Sequence, residues 1–382
     1  MFPEMQLWLR VLLTIAVAFL VAFGTTPIVK AFAQKVGAMD NPDGARRIHT
    51  HPIPRMGGMA IFFGFLLSVV LFAEISKPVQ GILIGCVIIV AIGVLDDIIS
   101  VRWWVKMAAQ FAAAIIAVAH GVMIEGIMNP NVFAAENTLL IGYLSIPVTI
   151  IWIVGGTNAV NLIDGLDGLA CGVSAISSVT MLTVALMVAE PNIALLLAAL
   201  TGGCLGFIPY NLNPAKIFMG DTGALLLGYV LATVSILGLF KFYAVMTFLV
   251  PVMALALPLF DTAFAIIRRL LKGQSPMAPD RGHLHHRLID HGLSQKQAVA
   301  VLYAISAMMG LTAVVICTTG KLRMILLVIE LGIAVAVGIF VIETIEHPAR
   351  SIPEGQPSEL PGPHLVELPR DSEEQEIKEK AE

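Results

Sequence analysis

Apolar runs about 20 residues long, the length a helix needs to cross hydrocarbon, recur from end to end of this 382-residue chain. No other feature restricts the fold so strongly. Within hydrocarbon every backbone N–H and C=O must be satisfied by the protein itself, which leaves helices and closed barrels as spanning structures. The runs are continuous rather than alternating segments of about ten residues, so helices are expected and an outer-membrane barrel is not. A mean hydropathy of +0.87 and a charged fraction of 13% fit that choice. The expectation is an all-α polytopic membrane protein with about eleven transmembrane helices, near 7–29, 56–76, 79–96, 104–120, 143–160, 168–189, 192–210, 222–240, 242–267, 298–319 and 322–343. The runs at 79–96 and 104–120 are short.

The basic residues orient these spans. Thirteen Lys and Arg fall in the loops after spans 1, 3, 5, 7 and 9, with Lys106 at the start of the fourth span on the same face, whereas the opposite face carries only Arg10, Lys77, Lys241, Lys321 and Arg323. The positive-inside rule puts the odd-numbered loops in the cytoplasm, the amino terminus outside and the carboxyl terminus inside. The first span is read as uncleaved. Glu4 precedes the first basic residue, Arg10, and the apolar run is longer than a signal core, although Ala31-Phe32-Ala33 resembles a cleavage site. Residues 1–347 then form one multi-span domain. From residue 348 the chain is acidic and Pro-rich, and a disordered tail over 348–382 is expected. Cys86, Cys171, Cys204 and Cys317 stand singly in apolar runs and suggest neither a disulfide framework nor a zinc pair.

Polar residues on this background need a reason, because a carboxylate near hydrocarbon is costly unless it is paired, binds a cation or faces water. Four sets map to the cytoplasmic face: Asp96-Asp97; NAVNLIDGLDGLA (158–170); Asn211, Asn213 and Asp221; and PDRGHLHHR (279–287). Asn158, Asn161, Asp164 and Asp167 repeat every third residue, a spacing that brings neighbours onto one side of a helix. Loops on the other face hold no comparable cluster. This one-sidedness favours a site for a charged, water-soluble substrate over a transport path, which places polar residues at mid-membrane depth.

Each set also has a plainer reading. Asp96-Asp97 would solvate a helix end, although adjacent carboxylates repel unless a cation or a base such as Arg102 or Lys106 intervenes. Asp221 in FMGDTG would serve as a helix N-cap, and the glycines around it also suit an anion at a helix start. Asp261 in PLFDTAFAIIRR favours a structural ion pair with Arg268 or a buried hydrogen bond. His283, His285 and His286, flanked by Arg281 and Arg287, supply cationic and planar donors for phosphate. Zinc held by these histidines with Asp280 or Asp290 is the alternative, but no HExxH or paired-cysteine spacing supports it. His49 and His51 sit in the most basic loop, where they mark orientation and leave a role in lipid phosphate binding open.

The ordered set LDD (95–97), NAVNLIDGLDGLA (158–170), PAKIFMGDTG (214–223), PLFDTAFAIIRR (258–269) and APDRGHLHHRL (278–288) resembles the bacterial polyprenyl-phosphate N-acetylhexosamine-1-phosphate transferases. The resemblance covers about residues 20–345 and is nearest to the N-acetylglucosamine branch of glycosyltransferase family 4, which starts lipopolysaccharide O-antigen, enterobacterial common antigen, teichoic acid or arabinogalactan-linker synthesis. The related phospho-N-acetylmuramoyl-pentapeptide transferases carry three consecutive histidines and DDxxK. This chain has HLHH, with Ser100 where that lysine would fall and Lys106 as the nearest base.

The resemblance implies transfer of N-acetylglucosamine 1-phosphate from UDP-GlcNAc to undecaprenyl or decaprenyl phosphate in the bacterial cytoplasmic membrane, with phospho-MurNAc-pentapeptide or another hexosamine 1-phosphate as the alternative group transferred. The products are a polyprenyl-pyrophosphoryl sugar and UMP. It further implies Mg²⁺, with Mn²⁺ as a substitute, held by Asp221 with Asp97 as a second ligand. Asn158, Asn161, Asp164 and Asp167 would position the nucleotide and pyrophosphate, with Asp164 closest to the chemistry. Arg281, His283, His285 and His286, together with Lys106, would bind donor phosphates or sugar. The partners expected are the bilayer, the donor and the lipid acceptor, without nucleic acid, and the family makes a homodimer plausible. Asp96 is the family's usual candidate base. A phosphate monoester with a second pKa of about 6 is already mostly dianionic at neutral pH, so orientation of metal or acceptor is the role expected here. A covalent aspartyl intermediate stays open. A nucleotide-sugar or lipid-linked-sugar transporter and a non-catalytic scaffold are the competing classes.

Overall fold

The computed structural model describes residues 6–41, 51–128, 138–239, 244–274 and 282–346. Thirteen helices occupy the described residues: α1 (Leu7–Val36), α2 (Gly58–Phe72), α3 (Lys77–Ile99), α4 (Trp103–Ala119), α5 (Ser145–Leu162), α6 (Leu169–Met187), α7 (Pro191–Asn211), α8 (Gly220–Leu239), α9 (Ala244–Ala254), α10 (Ala256–Leu271), α11 (Leu284–Asp290), α12 (Gln295–Cys317) and α13 (Gly320–Glu346). Two antiparallel hairpins accompany them. Strand β1 (Met39–Asp40) pairs with β2 (Ile53–Pro54), and β3 (Gly126–Met128) pairs with β4 (Thr138–Leu140). The chain is therefore an all-α polytopic membrane protein.

Eight of these helices are long and apolar enough to cross a membrane, and α2 and α4 are shorter apolar helices. The run at 242–267, expected to be one span, is two helices that meet at Leu255. Proline is the physical reason. Pro258 has no N–H to return to the carbonyl four residues earlier, that of Ala254, and the freed carbonyl instead accepts the Ser177 hydroxyl at 2.6 Å. The acidic tail expected over 348–382 lies outside the described residues.

Helix α8 is the axis of the bundle: the window Gly220–Leu237 is 89% buried, whereas no residue in that of α13 is buried, although α13 packs against α12. Lipid tails are as apolar as leucine, so close packing rather than water release joins such helices. The seam between α1 and α7 illustrates this. Gly202 and Gly206, one turn apart on α7, meet the α1 backbone so closely that a Cβ on either would lie 2.4 Å from a carbonyl, that of Ile15 or Phe19. Ala18 and Ala22 of α1 complete the small-residue seam and are fully buried. The ends of α1, α3, α5 and α7 and the starts of α2, α4, α6 and α8 gather at one side of the bundle, where the acidic motifs lie.

Gly206→Leu should force α1 away from α7 at a cost of about 1–3 kcal/mol. A thermal melt of detergent-solubilised protein should show a clear fall in midpoint, while Gly24→Leu, at a position with open space around its Cα, should leave it near wild type.

Candidate active site

Asp97 sits in the last turn of α3 and is buried. Its carboxylate turns toward the start of α8, where Oδ1 accepts the Asp221 N–H at 3.0 Å and Oδ2 accepts the Thr222 N–H at 3.2 Å and the Thr222 hydroxyl at 2.6 Å. The first N–H groups of a helix have no intrahelical acceptor, so a carboxylate there satisfies them and complements the helix dipole. The cap of α8 is thus supplied by another helix. Asp221, read from sequence as a possible cap itself, is freed by this arrangement to point elsewhere.

Asp221 joins a second set of contacts. Its Oδ2 accepts from the Lys106 ammonium at 2.8 Å and its Oδ1 from the Asn161 amide at 3.3 Å. Lys106 also reaches Asp96 Oδ2 at 3.2 Å, while Asp96 Oδ1 accepts the Val101 N–H at 2.7 Å and closes the turn after α3. One lysine therefore joins the carboxylates of α3 and α8 from the first turn of α4.

The NAVNLIDGLDGLA segment does not act as one helical face. Helix α5 ends at Leu162, so Asp164 and Asp167 belong to the turn that follows it. Asn161, Asp164 and Asp167 line a cavity of about 270 Å³, together with Asp40, Arg55, Asn211, Phe218, Asp221, His286 and Gln295. Asp167 is held from the far side by the Asn213 amide and the Ala215 N–H, both at 3.0 Å. Asn158 lies outside the cavity lining, one turn deeper, where its amide donates to Gln110 and to the Val154 carbonyl.

The histidines separate in the same way. His286 lines the cavity. His285 is buried beneath the 163–168 turn, with its Nε2 against Gly165, and burial pushes its pKa down to about 4, so the ring is neutral at physiological pH. His283 Nδ1 contacts Asp261 Oδ2 at 2.8 Å, and Asp261 Oδ1 accepts the Leu284 N–H at 2.9 Å. The partner of Asp261 is thus the histidine segment rather than Arg268, and the buried hydrogen bond is the alternative that holds. Arg281 and His49 lie outside the described residues.

Burial, then the charges of Asp221 and Asp97, push the Asp164 pKa up to about 8, with Arg55 working against the shift. Excess negative charge of this kind is what a cation relieves. A divalent ion that prefers oxygen ligands and usually takes one or two carboxylates suits Asp221 and Asp164. Among the described residues no group of three or more His, Cys, Asp and Glu side chains is arranged to hold a metal ion by itself. Arg55, Asp40, Phe218 and Gln295 went unnoticed in the sequence reading. The segments PRMGG (54–58) and KIF (216–218) contain Arg55 and Phe218 but carry no acid cluster, and Asp40 and Gln295 belong to no motif.

The model of glycosyl transferase family 4 matches residues 79–239. A probable undecaprenyl-phosphate N-acetylglucosaminyl 1-phosphate transferase of Bacillus subtilis is 42% identical over 310 residues, 80% of this chain and 86% of the relative. A decaprenyl-phosphate N-acetylglucosaminephosphotransferase of Mycobacterium tuberculosis is 34% identical over 320 residues, 76% of this chain and 78% of the relative. A phospho-N-acetylmuramoyl-pentapeptide-transferase of Thermoanaerobacter pseudethanolicus is 34% identical over 240 residues, 60% of this chain and 75% of the relative.

The Asp164 carboxyl makes stability depend on pH. An acid whose pKa is raised on folding, here from 3.8 to about 8, binds its proton more tightly in the folded state. Its contribution is full below about pH 4 and is lost as pH rises through 8. Metal-depleted protein should therefore melt at falling temperature from pH 5 to pH 8. Asp164→Asn should flatten that slope, as a pH series of thermal melts would show.

Proposed function

This chain belongs to glycosyl transferase family 4, with the polyprenyl-phosphate N-acetylglucosamine-1-phosphate transferases, and on that premise we propose that it moves N-acetylglucosamine 1-phosphate from UDP-GlcNAc onto undecaprenyl or decaprenyl phosphate. The products are the polyprenyl-pyrophosphoryl sugar and UMP, in the first membrane step of a cell-envelope glycopolymer. The observation that carries this reading is the Asp221 carboxylate, held by Lys106 and Asn161 at the edge of a polar cavity among membrane helices. A soluble, anionic donor and a lipid acceptor can meet only at such a boundary.

In the proposed reaction an acceptor phosphate oxygen bonds to the β-phosphorus of the donor. The bond from that phosphorus to the bridging oxygen breaks, and UMP leaves with the electron pair. Both reactants are anions, so positioning and charge neutralisation make up most of the catalysis. Mg²⁺, or Mn²⁺ in its place, would be held by Asp221 and Asp164, and would supply charge neutralisation for the transferred phosphoryl group. Asp97, already accepting from residues 221 and 222, aims Asp221 rather than serving as a full second ligand. Asp96 holds Lys106 beside the phosphoryl group, which suits orientation more than proton removal from an acceptor that is largely dianionic. Asn161 orients Asp221, Asp167 braces the loop after α7, and His286 faces the donor. His285 and His283 shape the wall behind it, and Asn158 supports Asn161 from one turn below.

Topology follows the same reading. Helices α2 and α4 as short spans, and α9 with α10 as one broken span, bring the total to eleven. The arginine- and lysine-rich loops and the site then face the cytoplasm in a bacterial inner membrane.

Full-length protein in detergent, given UDP-GlcNAc, undecaprenyl phosphate and Mg²⁺, should release UMP and form an extractable lipid-linked sugar in equal amounts. Chelation, Asp221→Asn or Lys106→Met should each lower turnover by at least about a hundredfold, the scale of losing one preorganised electrostatic group. Transport of donor without UMP release would replace this reading with a transporter.

A further inference from the structure

Four carboxylates line the cavity, those of Asp40, Asp164, Asp167 and Asp221, yet a phosphate-bearing donor has to enter it. Among the described residues of its lining, Arg55 is the one side chain with a permanent positive charge, since a guanidinium does not deprotonate in proteins. The position of this arginine is built rather than incidental. Asp40 Oδ1 takes one Nη of the guanidinium at 2.6 Å, with the arginine side chain 34% exposed and the aspartate side chain 9% exposed. That contact fixes one edge of a fork with five N–H donors and leaves donors for a second anion.

The backbone beneath Arg55 is fixed as firmly. Arg55 N–H donates to the Ala38 carbonyl at 2.9 Å, in register with the β1–β2 pair. On the other side Phe218 N–H donates to the Pro54 carbonyl at 2.8 Å, Gly57 N–H to the Phe218 carbonyl at 3.0 Å and Gly58 N–H to the Met219 carbonyl at 2.9 Å. These bonds tie the segment to the residues leading directly into Asp221. Gly58 allows the approach, because a Cβ there would lie 2.1 Å from Gly223 Cα. Met56, fully buried, holds a left-handed φ of 74° between Arg55 and this contact, a cost that persists only where surrounding structure imposes it. The guanidinium and the Asp221 carboxylate are thus set by one stitched backbone unit.

We propose that Arg55, oriented by Asp40, binds the diphosphate of the nucleotide-sugar donor and is a substrate-binding residue of this site. The assignment rests on the transferase reading and adds a residue that the acidic and histidine motifs do not contain. A planar fork pairs two phosphate oxygens at once, whereas the lysine already shared by Asp96 and Asp221 is a point charge committed to the other side of the site.

The test is titration calorimetry of UDP into full-length, detergent-solubilised wild type, Arg55→Gln, Arg55→Lys and Asp40→Asn. Thermal melts and separate KM values for UDP-GlcNAc and polyprenyl phosphate accompany it. Arg55→Gln should weaken UDP about tenfold to hundredfold, the scale of a lost charge-assisted pair. It should raise the donor KM in parallel and keep the acceptor KM within about twofold. Arg55→Lys should fall between wild type and Arg55→Gln, and Asp40→Asn should show a smaller loss of the same kind. Should Arg55→Gln fail to melt cooperatively, Arg55→Lys decides, with wild-type UDP affinity counting against the proposal. Wild-type UDP affinity in folded Arg55→Gln, or a rise confined to the acceptor KM, would overturn the assignment while leaving the transferase intact. Wild-type protein that neither binds UDP nor turns over would overturn both.

Discussion

Everything at the open end of this bundle depends on keeping several carboxylates close together around one polar cavity. Repulsion among Asp96, Asp97, Asp164 and Asp221 would otherwise be relieved by protonation or by splaying the helices apart. The protein gives most of them distinct partners. Asp97 spends its charge on the N–H groups at the start of α8, Asp96 and Asp221 share Lys106, and Asp164 is left facing the cavity with the largest unmet need for a cation. The same contacts join α3, α4, α5 and α8, so the electrostatic solution is also the structural one.

The fold around this cluster follows from the solvent. Lipid offers no hydrophobic reward for joining helices, so their contacts rely on shape, as at Gly202 and Gly206 against α1. Where the helical ladder is broken, a neighbour repairs it, as Ser177 does for the Ala254 carbonyl. At the polar end the irregular backbone comprises residues 55–57, the turn after α5 and the residues before α8. These are the places where side chains must converge, and there the loops bond to one another rather than to lipid-facing helices.

Much of this was legible in the residues. The apolar runs and the one-sided distribution of acids followed from residue type and position, because hydrocarbon admits charge only for a reason, whereas the weight placed on Lys106 and Asp221 came from the resemblance to the transferase family. Less legible were the partners. The three-residue repeat from Asn158 to Asp167 suggested one helical face, but the helix ends at Leu162, and the four side chains divide among a deep amide pair, the Asp221 contact, the open cavity and the loop after α7. Asp261 was read with the nearby Arg268, whereas a contact across 22 residues to His283 proved to be the one made.

The sequence alone determined that the chain is a bundle of membrane helices with a charged site at one end, since those conclusions rest on composition and period, which are local. Only the tertiary structure decided which carboxylate caps a helix, which is held by lysine and which faces the cavity, and that Arg55 stands among them. Those assignments turn on contacts between residues as far apart as Asp97 and Thr222 or Pro54 and Phe218. Partner choice over such distances depends on how helices cross, which no local pattern encodes.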